Sequence, residues 1–374
     1  LTGKKYLKEV LVSDLPNEVE HQALNLWRKK RFTNLHLIRA GGIFRRALRG
    51  VADPEQKRKI IGELFIKIAD REIKKLGLDI DQCVLLQGTI YPDTIESART
   101  KHSDRIKTHH NRVDAVQKLI DRGALIEPLQ YLYKDEVRQL GEILEVDPVI
   151  LNRHPFPGPG LAVRILCSDE SIWPSGEAVF SAVGCEPEIY DLLAPHKFEG
   201  YVLPIKSVGV EGDQRTYAFP CAITGPQDWE VIERLSSQIT NRFKGKINRV
   251  IYLVAPLNYH LSRLNIKKAF LTKERVSLSE EIDWIVQREV KKAGWYSKIW
   301  QLVVVLAPLS RSPIGNKECA IIRVVESVNA MTTTNPRPPW PLLETIASKI
   351  LKLPNMEAVF YDPTPKPPAT IEWE

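Results

Sequence analysis

Residues 200–223 and 298–324 decide the fold, because one pattern of strands and turns occurs in both. The first stretch reads GYVLPIKSVGVEGDQRTYAFPCAI, and the second reads KIWQLVVVLAPLSRSPIGNKECAIIRV. Apolar runs rich in β-branched residues and bounded by Gly, Pro and Ser are typical of strands separated by turns. Each stretch therefore predicts two strands joined by a turn.

The similarity between the two regions extends beyond these strands. A predicted helix comes next, at 229–242 in one case and 341–352 in the other, and each helix leads into a further apolar run. The recurrence predicts a duplicated α+β unit, with repeats at about 198–257 and 295–374. The connector between the repeats contains one clear amphipathic helix, predicted at 278–293.

The N-terminal part has a different pattern, in which short apolar strands alternate with helices. The predicted strands lie at 6–13, 35–40, 84–88 and 126–129. The predicted helices lie at 16–30, 54–76, 112–122 and 134–145. This alternation favours an open, mainly parallel α/β sheet, in which ligands bind beyond the carboxyl ends of the strands. We expect this domain to span 1–165 and the duplicated α+β domain to span 166–374.

Composition narrows the class of protein. A length of 374 residues with 43% hydrophobic content predicts two or three domains with real cores. We expect no transmembrane helix, because the longest apolar run is short and interrupted, and no signal peptide, because charges interrupt the start. Five scattered cysteines indicate reduced thiols rather than disulfides or a zinc site, which favours the cytoplasm.

The net charge of +7 leaves three interpretations open. Basic residues cluster at 28–31, 45–49 and 57–59, and could form a nucleic-acid surface, solvated helix faces or a pocket for several phosphates. Aromatic residues do not interleave with these clusters. Nucleic acid is therefore the least favoured partner.

The stretch HPFPGPGLAVR, residues 154–164, can form neither a helix nor a central strand. Its three prolines lock φ, while Gly158 and Gly160 permit backbone angles that other residues rarely adopt. The sequence predicts a loop of defined shape between two ordinary segments.

Two further segments contain side chains suited to phosphate or metal chemistry. Asp93 and Glu96 in QGTIYPDTIES (87–97) follow a strand and could hold Mg²⁺, although Asp93 is equally suited to cap a helix. Lys107, His109 and His110 in IKTHHN (106–111) could donate to phosphate oxygens or lie in a solvated loop. Adjacent histidines point in different directions, which disfavours a metal site.

Two charged segments have a purely structural interpretation as well as a functional one. By default, the charges at the start of YKDEVRQLG (133–141) are surface charge. The tail KPPATIEWE (366–374) combines prolines, Trp and acids, a composition that predicts a docked terminus rather than a frayed one. Lys366 and Glu372 could then face a ligand, or the tail could dock for packing alone.

Seven of these segments together resemble GMP synthetase, in the family's order over nearly the whole chain. They are DPEQKRKIIG (53–62), QGTIYPDTIES, IKTHHN, KDEVRQLG (134–141), RHPFPGPGLAVR (153–164), LPIKSVGVEGDQRTY (203–217) and KPPATIEWE. The resemblance implies an adenine-nucleotide-hydrolase-like ATP-pyrophosphatase domain followed by an XMP-binding, dimerization-type domain. It also implies the reaction. The C2 oxygen of xanthosine monophosphate (XMP) attacks the α-phosphate of Mg-ATP, and ammonia then displaces AMP to give GMP.

The resemblance also implies roles for individual residues. Those expected at ATP and Mg²⁺ are Asp93, Glu96, Asp135 and Glu136, with Thr108 and Asn111 in a mobile lid whose catalytic residues are Lys107, His109 and His110. Those expected at XMP are Arg58, Pro157, Gly158, Gly160, Asp213, Gln301, Lys366 and Glu372. The loop 154–164 would form the junction between the two domains.

Two parts of the family's pattern are missing from the sequence. The phosphate loop S-G-G-V-D-S and the glutaminase domain are not in the sequence, and we expect both upstream on the same full-length chain. The two repeats are complementary, since one keeps VGVEGDQRTY and the other keeps the tail. We therefore expect a monomer that mimics a dimer. Alternatives to a GMP synthetase are a degenerate XMP-binding homologue and an ATP-pyrophosphatase that acts on tRNA.

Overall fold

The computed structural model describes residues 9–12, 35–77, 84–91, 121, 123–152, 154–169, 186–211, 214–312, 315–327, 332–334 and 336–374. The chain divides into two compact units by its internal contacts. Unit 1 contains the described residues at 9–49, 55–91 and 121–152. Unit 2 contains residues 50–54 and the described residues from 154 onward.

The described part of unit 1 contains both short strands and helices, as its sequence predicts. Its strands pair in parallel, β1 with β2 and β3 with β4: β1 (Glu9–Val12), β2 (Leu35–Ile38), β3 (Leu85–Leu86) and β4 (Leu125–Ile126). Its helices are α1 (Gly41–Ala47), α2 (Pro54–Lys75), α3 (Lys134–Ile143) and α4 (Pro148–Leu151). The predicted helix 16–30 and nearly all of 112–122 lie outside the described residues. Helix α2 begins at Pro54 because proline has no N–H to lose in the first turn and its fixed φ suits a helix.

Unit 2 contains most of the described strands. They are β5 (Glu199–Val202), β6 (Ser207–Glu211), β7 (Gln214–Thr224), β8 (Ile247–Ala255), β9 (Asn265–Ile266), β10 (Gln301–Ala307), β11 (Leu309–Ser310), β12 (Glu318–Val325) and β13 (Met356–Tyr361). Its helices are α5 (Glu186–Leu193), α6 (Trp229–Arg242), α7 (Lys273–Lys292) and α8 (Trp340–Ile350). Helix α7 begins five residues before its predicted start, because the Thr272 hydroxyl accepts from the Arg275 N–H and caps an earlier turn.

The main sheet of unit 2 has the strand order β10-β12-β13-β8-β7-β5. In the first half, β5 and β7 are antiparallel and β7 and β8 are parallel; in the second half, β10 and β12 are antiparallel and β12 and β13 are parallel. The halves meet where β8 runs antiparallel to β13. Each half therefore contains two antiparallel strands, a helix and a third strand parallel to the second.

In each half, a short strand between the first two long strands also contacts a segment that lies outside that half. Strand β6, between the first two long strands of the first half, bridges to the tail of the second half at Gly209 and Ala369. Strand β11, at the corresponding place in the second half, pairs with β9, which follows the last strand of the first half. The C-terminal tail is thus held by residues far from it in sequence.

A pair of tyrosines at the centre of the sheet has the same environment in both halves. Tyr252 and Tyr361 are opposite each other where β8 meets β13. Each hydroxyl donates to a carbonyl four residues before the helix of its own half: Tyr252 to Gly225 at 2.7 Å and Tyr361 to Pro336 at 2.9 Å. The local geometry on the two sides of the central strand pair is therefore closely similar.

The core of unit 2 includes the end of the tail. Trp373 is fully buried and packs in one apolar cluster with residues of several strands, among them Val303 of β10, Ile321 of β12 and Phe360 of β13. Strands β10 and β12 are buried along their whole length, and β10 is continuously apolar from Leu302 to Ala307 rather than alternating. In the described part of the chain, every helix is too short or too polar to cross a membrane.

Candidate functional site

The C-terminal tail is fastened to the sheet by Arg249 of β8. The Arg249 Nη2 group donates to the carbonyls of Val208 (3.0 Å), Thr370 (2.9 Å) and Glu372 (2.9 Å). Its guanidinium also lies over the Trp373 ring, 4.9 Å from the centroid. A planar guanidinium presents several donors at once, so this one side chain fixes both β6 and the tail.

Asp362 is the centre of a buried ion network beneath the tail. Its carboxylate lies 2.8 Å from Nη1 of Arg249 and 3.0 Å from Nη1 of Arg323, and it accepts from the Trp373 indole N–H at 3.1 Å. Burial opposes its charge, but the two guanidinium groups and the Thr364 N–H outweigh burial and hold the pKa of Asp362 below its ordinary value. Asp362 is therefore ionised at neutral pH.

Glu372 is held by two side chains from other parts of unit 2. Arg164 donates from Nε to Oε2 at 3.0 Å and from Nη2 to Oε1 at 2.8 Å, and the Gln301 amide donates to the same Oε1 at 2.9 Å. Two of the predicted site residues, Gln301 and Glu372, are thus in direct contact. The carboxylate remains partly accessible, while Gln301 and Arg164 are buried.

The loop 154–164 reaches this carboxylate through its last residue, Arg164. Gly160 has φ of +70°, a left-handed conformation that favours glycine, and its N–H donates to the Pro157 carbonyl at 2.9 Å. The Arg164 guanidinium lies 4.6 Å from the centre of the Phe156 ring. Three predicted positions, Pro157, Gly158 and Gly160, therefore belong to a shaped loop that ends at Glu372.

The other end of the tail is fixed as well. Lys366 and Thr333 are bridged by two hydrogen bonds, at 3.2 Å to the Lys366 carbonyl and 3.1 Å from its N–H. The Val210 N–H donates to the Pro368 carbonyl at 2.8 Å beside Gly209, where the backbones approach so closely that any Cβ would meet three atoms at 2.9 Å. The tail docks along its whole length, as its composition predicts.

Three predicted site residues lie in the described part of unit 1. Arg58 is half-buried on α2, and Asp135 and Glu136 are exposed in the first turn of α3. The Glu136 carboxylate accepts from the Tyr133 N–H at 2.6 Å, so it caps the start of α3. This contact assigns Glu136 a structural role in addition to the one that the resemblance implies.

Eight predicted site residues lie outside the described residues: Asp93, Glu96, Lys107, Thr108, His109, His110, Asn111 and Asp213. Their roles stay predictions. Among the residues that the structure does describe, no three or more His, Cys, Asp or Glu side chains come together as a metal site would require.

Sequence reasoning missed four charged residues of this region: Arg164, Arg249, Arg323 and Asp362. A signal was present for two of them, because Arg249 and Arg323 interrupt the apolar strand runs INRVIYLVA and ECAIIRVV. A charge at such a position is costly to bury without a partner. Each of these arginines therefore needs a buried acidic partner, and Asp362 is that partner in the structure.

Comparisons with known proteins agree with the motifs. Residues 288–373 match the GMP synthase C terminal domain, a segment that includes Gln301, Lys366 and Glu372. The chain is 42% identical over 359 residues, 94% of its length, to the probable glutamine-hydrolyzing GMP synthase of Leptospira interrogans. It is 32% identical over 373 residues, 87% of its length, to the GMP synthase of Dictyostelium discoideum.

The chain is related to the GMP synthases. The resemblance drawn from the seven motifs is therefore confirmed. A shorter match, 40% over 235 residues and 58% of the chain, relates it to the GMP synthase of Aquifex aeolicus. The chain spans about half the length of these GMP synthases: 57% of the Leptospira protein, 52% of the Dictyostelium protein and 44% of the Aquifex protein.

Proposed function

We propose that the full-length protein is a GMP synthetase, a ligase that forms a C–N bond. It activates the C2 oxygen of XMP with ATP, releases pyrophosphate, and lets ammonia displace AMP to give GMP. The observation that carries the proposal is the contact between Gln301 and Glu372 in a tail that is anchored along its length. A docked tail with a partly accessible carboxylate is suited to holding a ligand, because such a carboxylate can still accept a hydrogen bond from it.

The chemistry of XMP matches the side chains of this region. Its base offers ring N–H groups, from which a carboxylate such as Glu372 can accept, and its phosphate can pair with a cation such as Lys366. Arg58, on unit 1, keeps the XMP-contacting role that the resemblance implies. Asp213, together with the loop at Pro157, Gly158 and Gly160, completes the proposed XMP site. The glycines let the backbone come close to the nucleotide.

The ATP-dependent step falls to unit 1 and to the predicted lid. Charge develops on phosphate oxygens during attack at the α-phosphate, so Lys107, His109 and His110 would stabilise the transition state as donors. Thr108, Asn111, Asp135 and Glu136 would help to bind ATP. Asp93 and Glu96 supply the carboxylate oxygens that Mg²⁺ prefers, and the ion would neutralise the phosphates when bound.

The remaining features of the proposal concern organisation. We place the ATP-pyrophosphatase domain at 1–165 and the XMP-binding domain, with its two α+β repeats, at 166–374. The matching geometry of the two halves supports a monomer that mimics a dimer, which sedimentation velocity would test. We place the protein in the cytoplasm, because its scattered cysteines favour reduced thiols. Nitrogen would come from glutamine through a glutaminase domain on the same chain, or from ammonia.

Turnover of the full-length protein tests the function. Pyrophosphate and GMP are measured with Mg-ATP, XMP and an ammonium salt, and XMP is then omitted. We expect release that depends on XMP, and a loss of about 10²- to 10³-fold in kcat on Lys107→Ala, the usual cost of one transition-state donor. Lys244→Ala is the matched control, because Lys244 is an exposed lysine in the turn after α6.

Each alternative predicts a different result. A degenerate homologue would bind XMP without releasing pyrophosphate. An enzyme acting on tRNA would bind RNA with a strong dependence on salt and would release pyrophosphate without XMP. A loss of only a few-fold on Lys107→Ala would contradict the lid assignment.

A further inference from the structure

Arg164 forms a two-point ion pair with Glu372. The two residues are 208 positions apart, near opposite ends of unit 2 in sequence. Its Nε and Nη2 groups donate to Oε2 and Oε1 of one carboxylate, at 3.0 Å and 2.8 Å. The arginine is 1% exposed and the glutamate 16% exposed. Arg164 is therefore buried, whereas the Glu372 side chain remains partly accessible to solvent.

The charge on Arg164 is stabilised by this pair. Burial alone would lower its pKa, but the Glu372 carboxylate more than compensates and raises the pKa of the guanidinium above its ordinary value. The two parallel N–H···O bonds from the guanidinium fix the orientation of the Glu372 carboxylate. Glu372 then accepts hydrogen bonds and donates none.

The contacts also limit how many bonds Glu372 can still accept. A carboxylate offers about four acceptor positions. Arg164 occupies one on each oxygen, and the Gln301 amide occupies the second position on Oε1 at 2.9 Å. Among the contacts of the described residues, one acceptor position remains, on Oε2. Glu372 can therefore accept from one further N–H donor.

We propose that Arg164 is a positioning and specificity-determining residue, which makes Glu372 an obligate acceptor for one ring N–H of the base. The inference rests on the proposed function for its ligand, a purine nucleoside monophosphate. In this proposal the Arg164–Glu372 pair selects among nucleotide bases. Bases with a lactam N–H bind, and bases whose ring nitrogens are all acceptors are rejected. Gln301 is fixed on Oε1 and so directs the ligand to Oε2.

Three nucleotides separate these cases. XMP has ring N–H groups at N1 and N3, inosine monophosphate has one at N1, and purine riboside monophosphate has neither. Their affinities are measured by calorimetry on the full-length protein with a non-hydrolysable ATP analogue present, which keeps them out of the ATP site. We expect the wild type to bind XMP at least about 10- to 100-fold more tightly than purine riboside monophosphate, as expected for a hydrogen bond to a charged group.

Variants test the part played by Arg164. Arg164→Met should lower XMP affinity and bring the ratio of XMP to purine riboside monophosphate close to one, and Arg164→Lys should give an intermediate ratio. Glu372→Gln should also lose the ratio, because an amide can donate as well as accept. In the Glu372→Gln background, Arg164→Met should change XMP affinity by less than about twofold, since residues that act through one contact are not additive.

The control is Arg242→Met, which removes an arginine from the exposed ion pair with Glu188 and should leave every affinity unchanged. Thermal unfolding checks that each variant is folded; if Arg164→Met is not, the ratios of Arg164→Lys and Glu372→Gln decide. An unchanged ratio in the folded Arg164 variants, or additive effects in the double variant, would overturn this inference alone. A wild type that binds no XMP would overturn the proposed function as well.

Discussion

Arg249 and Asp362 form a fully buried ion pair, with Nη1 2.8 Å from Oδ2, that joins strand β8 of the first half to the segment after β13 of the second. Arg323 of β12 contacts the other carboxylate oxygen at 3.0 Å. The same Arg249 holds the carbonyls of the tail. The pair therefore connects the centre of the sheet to the candidate site.

Removing the charge of Asp362 should be strongly destabilising. We expect Asp362→Asn to lower the free energy of unfolding by about 3–5 kcal/mol, because two buried guanidinium groups lose their counter-charge. Urea unfolding of the full-length protein, followed by fluorescence, measures the change. Glu188→Gln removes the carboxylate of the exposed pair with Arg242 and should cost no more than about 1 kcal/mol. Equal effects of the two substitutions would contradict the role of the buried network.

The contribution of Asp362 should also depend on pH. Its pKa in the folded protein lies below its ordinary value of 3.8, because Arg323 and Arg249 outweigh the cost of burial. The unfolded chain therefore binds a proton first as pH falls, so the stabilisation is complete well above 3.8 and is lost as pH drops through the lowered pKa. The stability gap between wild type and Asp362→Asn should be constant above about pH 5 and shrink below pH 4, measured by urea midpoints. A gap that stays the same at pH 3 would show that the carboxylate charge is not what stabilises the fold.

The strands and helices of unit 2 were predictable, whereas the contacts of its buried charges were not. Helix α6 runs from Trp229 to Arg242 as predicted, since Asp228 caps its first turn and its apolar spacing is regular. The tail was predicted to dock because its Trp and prolines are unusual at a terminus. Arg249 and Asp362, however, are far apart in the chain, and only the order of the strands brings β8 next to β13. A local pattern carries no information about such a pairing.

The stacked rings of Trp229 and Trp340 connect the helices of the two halves. Each is the first residue of its helix, α6 or α8, and their centroids are 4.2 Å apart with an interplanar angle of 10°. A double-mutant cycle with Trp229→Ala and Trp340→Ala should give a coupling energy of about 0.5–1.5 kcal/mol, typical of an aromatic pair. Unfolding is followed by circular dichroism, because the variants remove fluorophores. Strict additivity would mean that the stack does not hold the halves together.

The close approach at Gly209 allows a test of how the tail is seated. A Cβ at this position would lie 2.9 Å from the Pro368 carbonyl, the Asn248 amide and the Thr216 hydroxyl. We expect Gly209→Ala to displace the tail, to cost about 1–3 kcal/mol of stability by overpacking, and to weaken XMP binding.

Gly42→Ala is the matched control for stability. Gly42 lies inside helix α1, where, among the described residues, an added Cβ meets the ends of two arginine side chains, at 3.6 Å and 4.0 Å. It should stabilise the protein by about 0.5–1 kcal/mol. Thermal unfolding measures both variants. If Gly209→Ala changed neither the stability nor the XMP affinity, the close approach at Gly209 would not be required for docking of the tail.

The central claim is that the docked C-terminal tail forms a nucleotide site, and XMP binding to the full-length protein tests it most directly. Titration calorimetry compares the wild type with Lys366→Ala and Glu372→Ala, using Lys244→Ala as the surface control. The account predicts that both tail variants remain folded and lose at least about tenfold in XMP affinity, the effect of one charged hydrogen bond, while the control binds as the wild type does. Unchanged XMP affinity in both tail variants would contradict it.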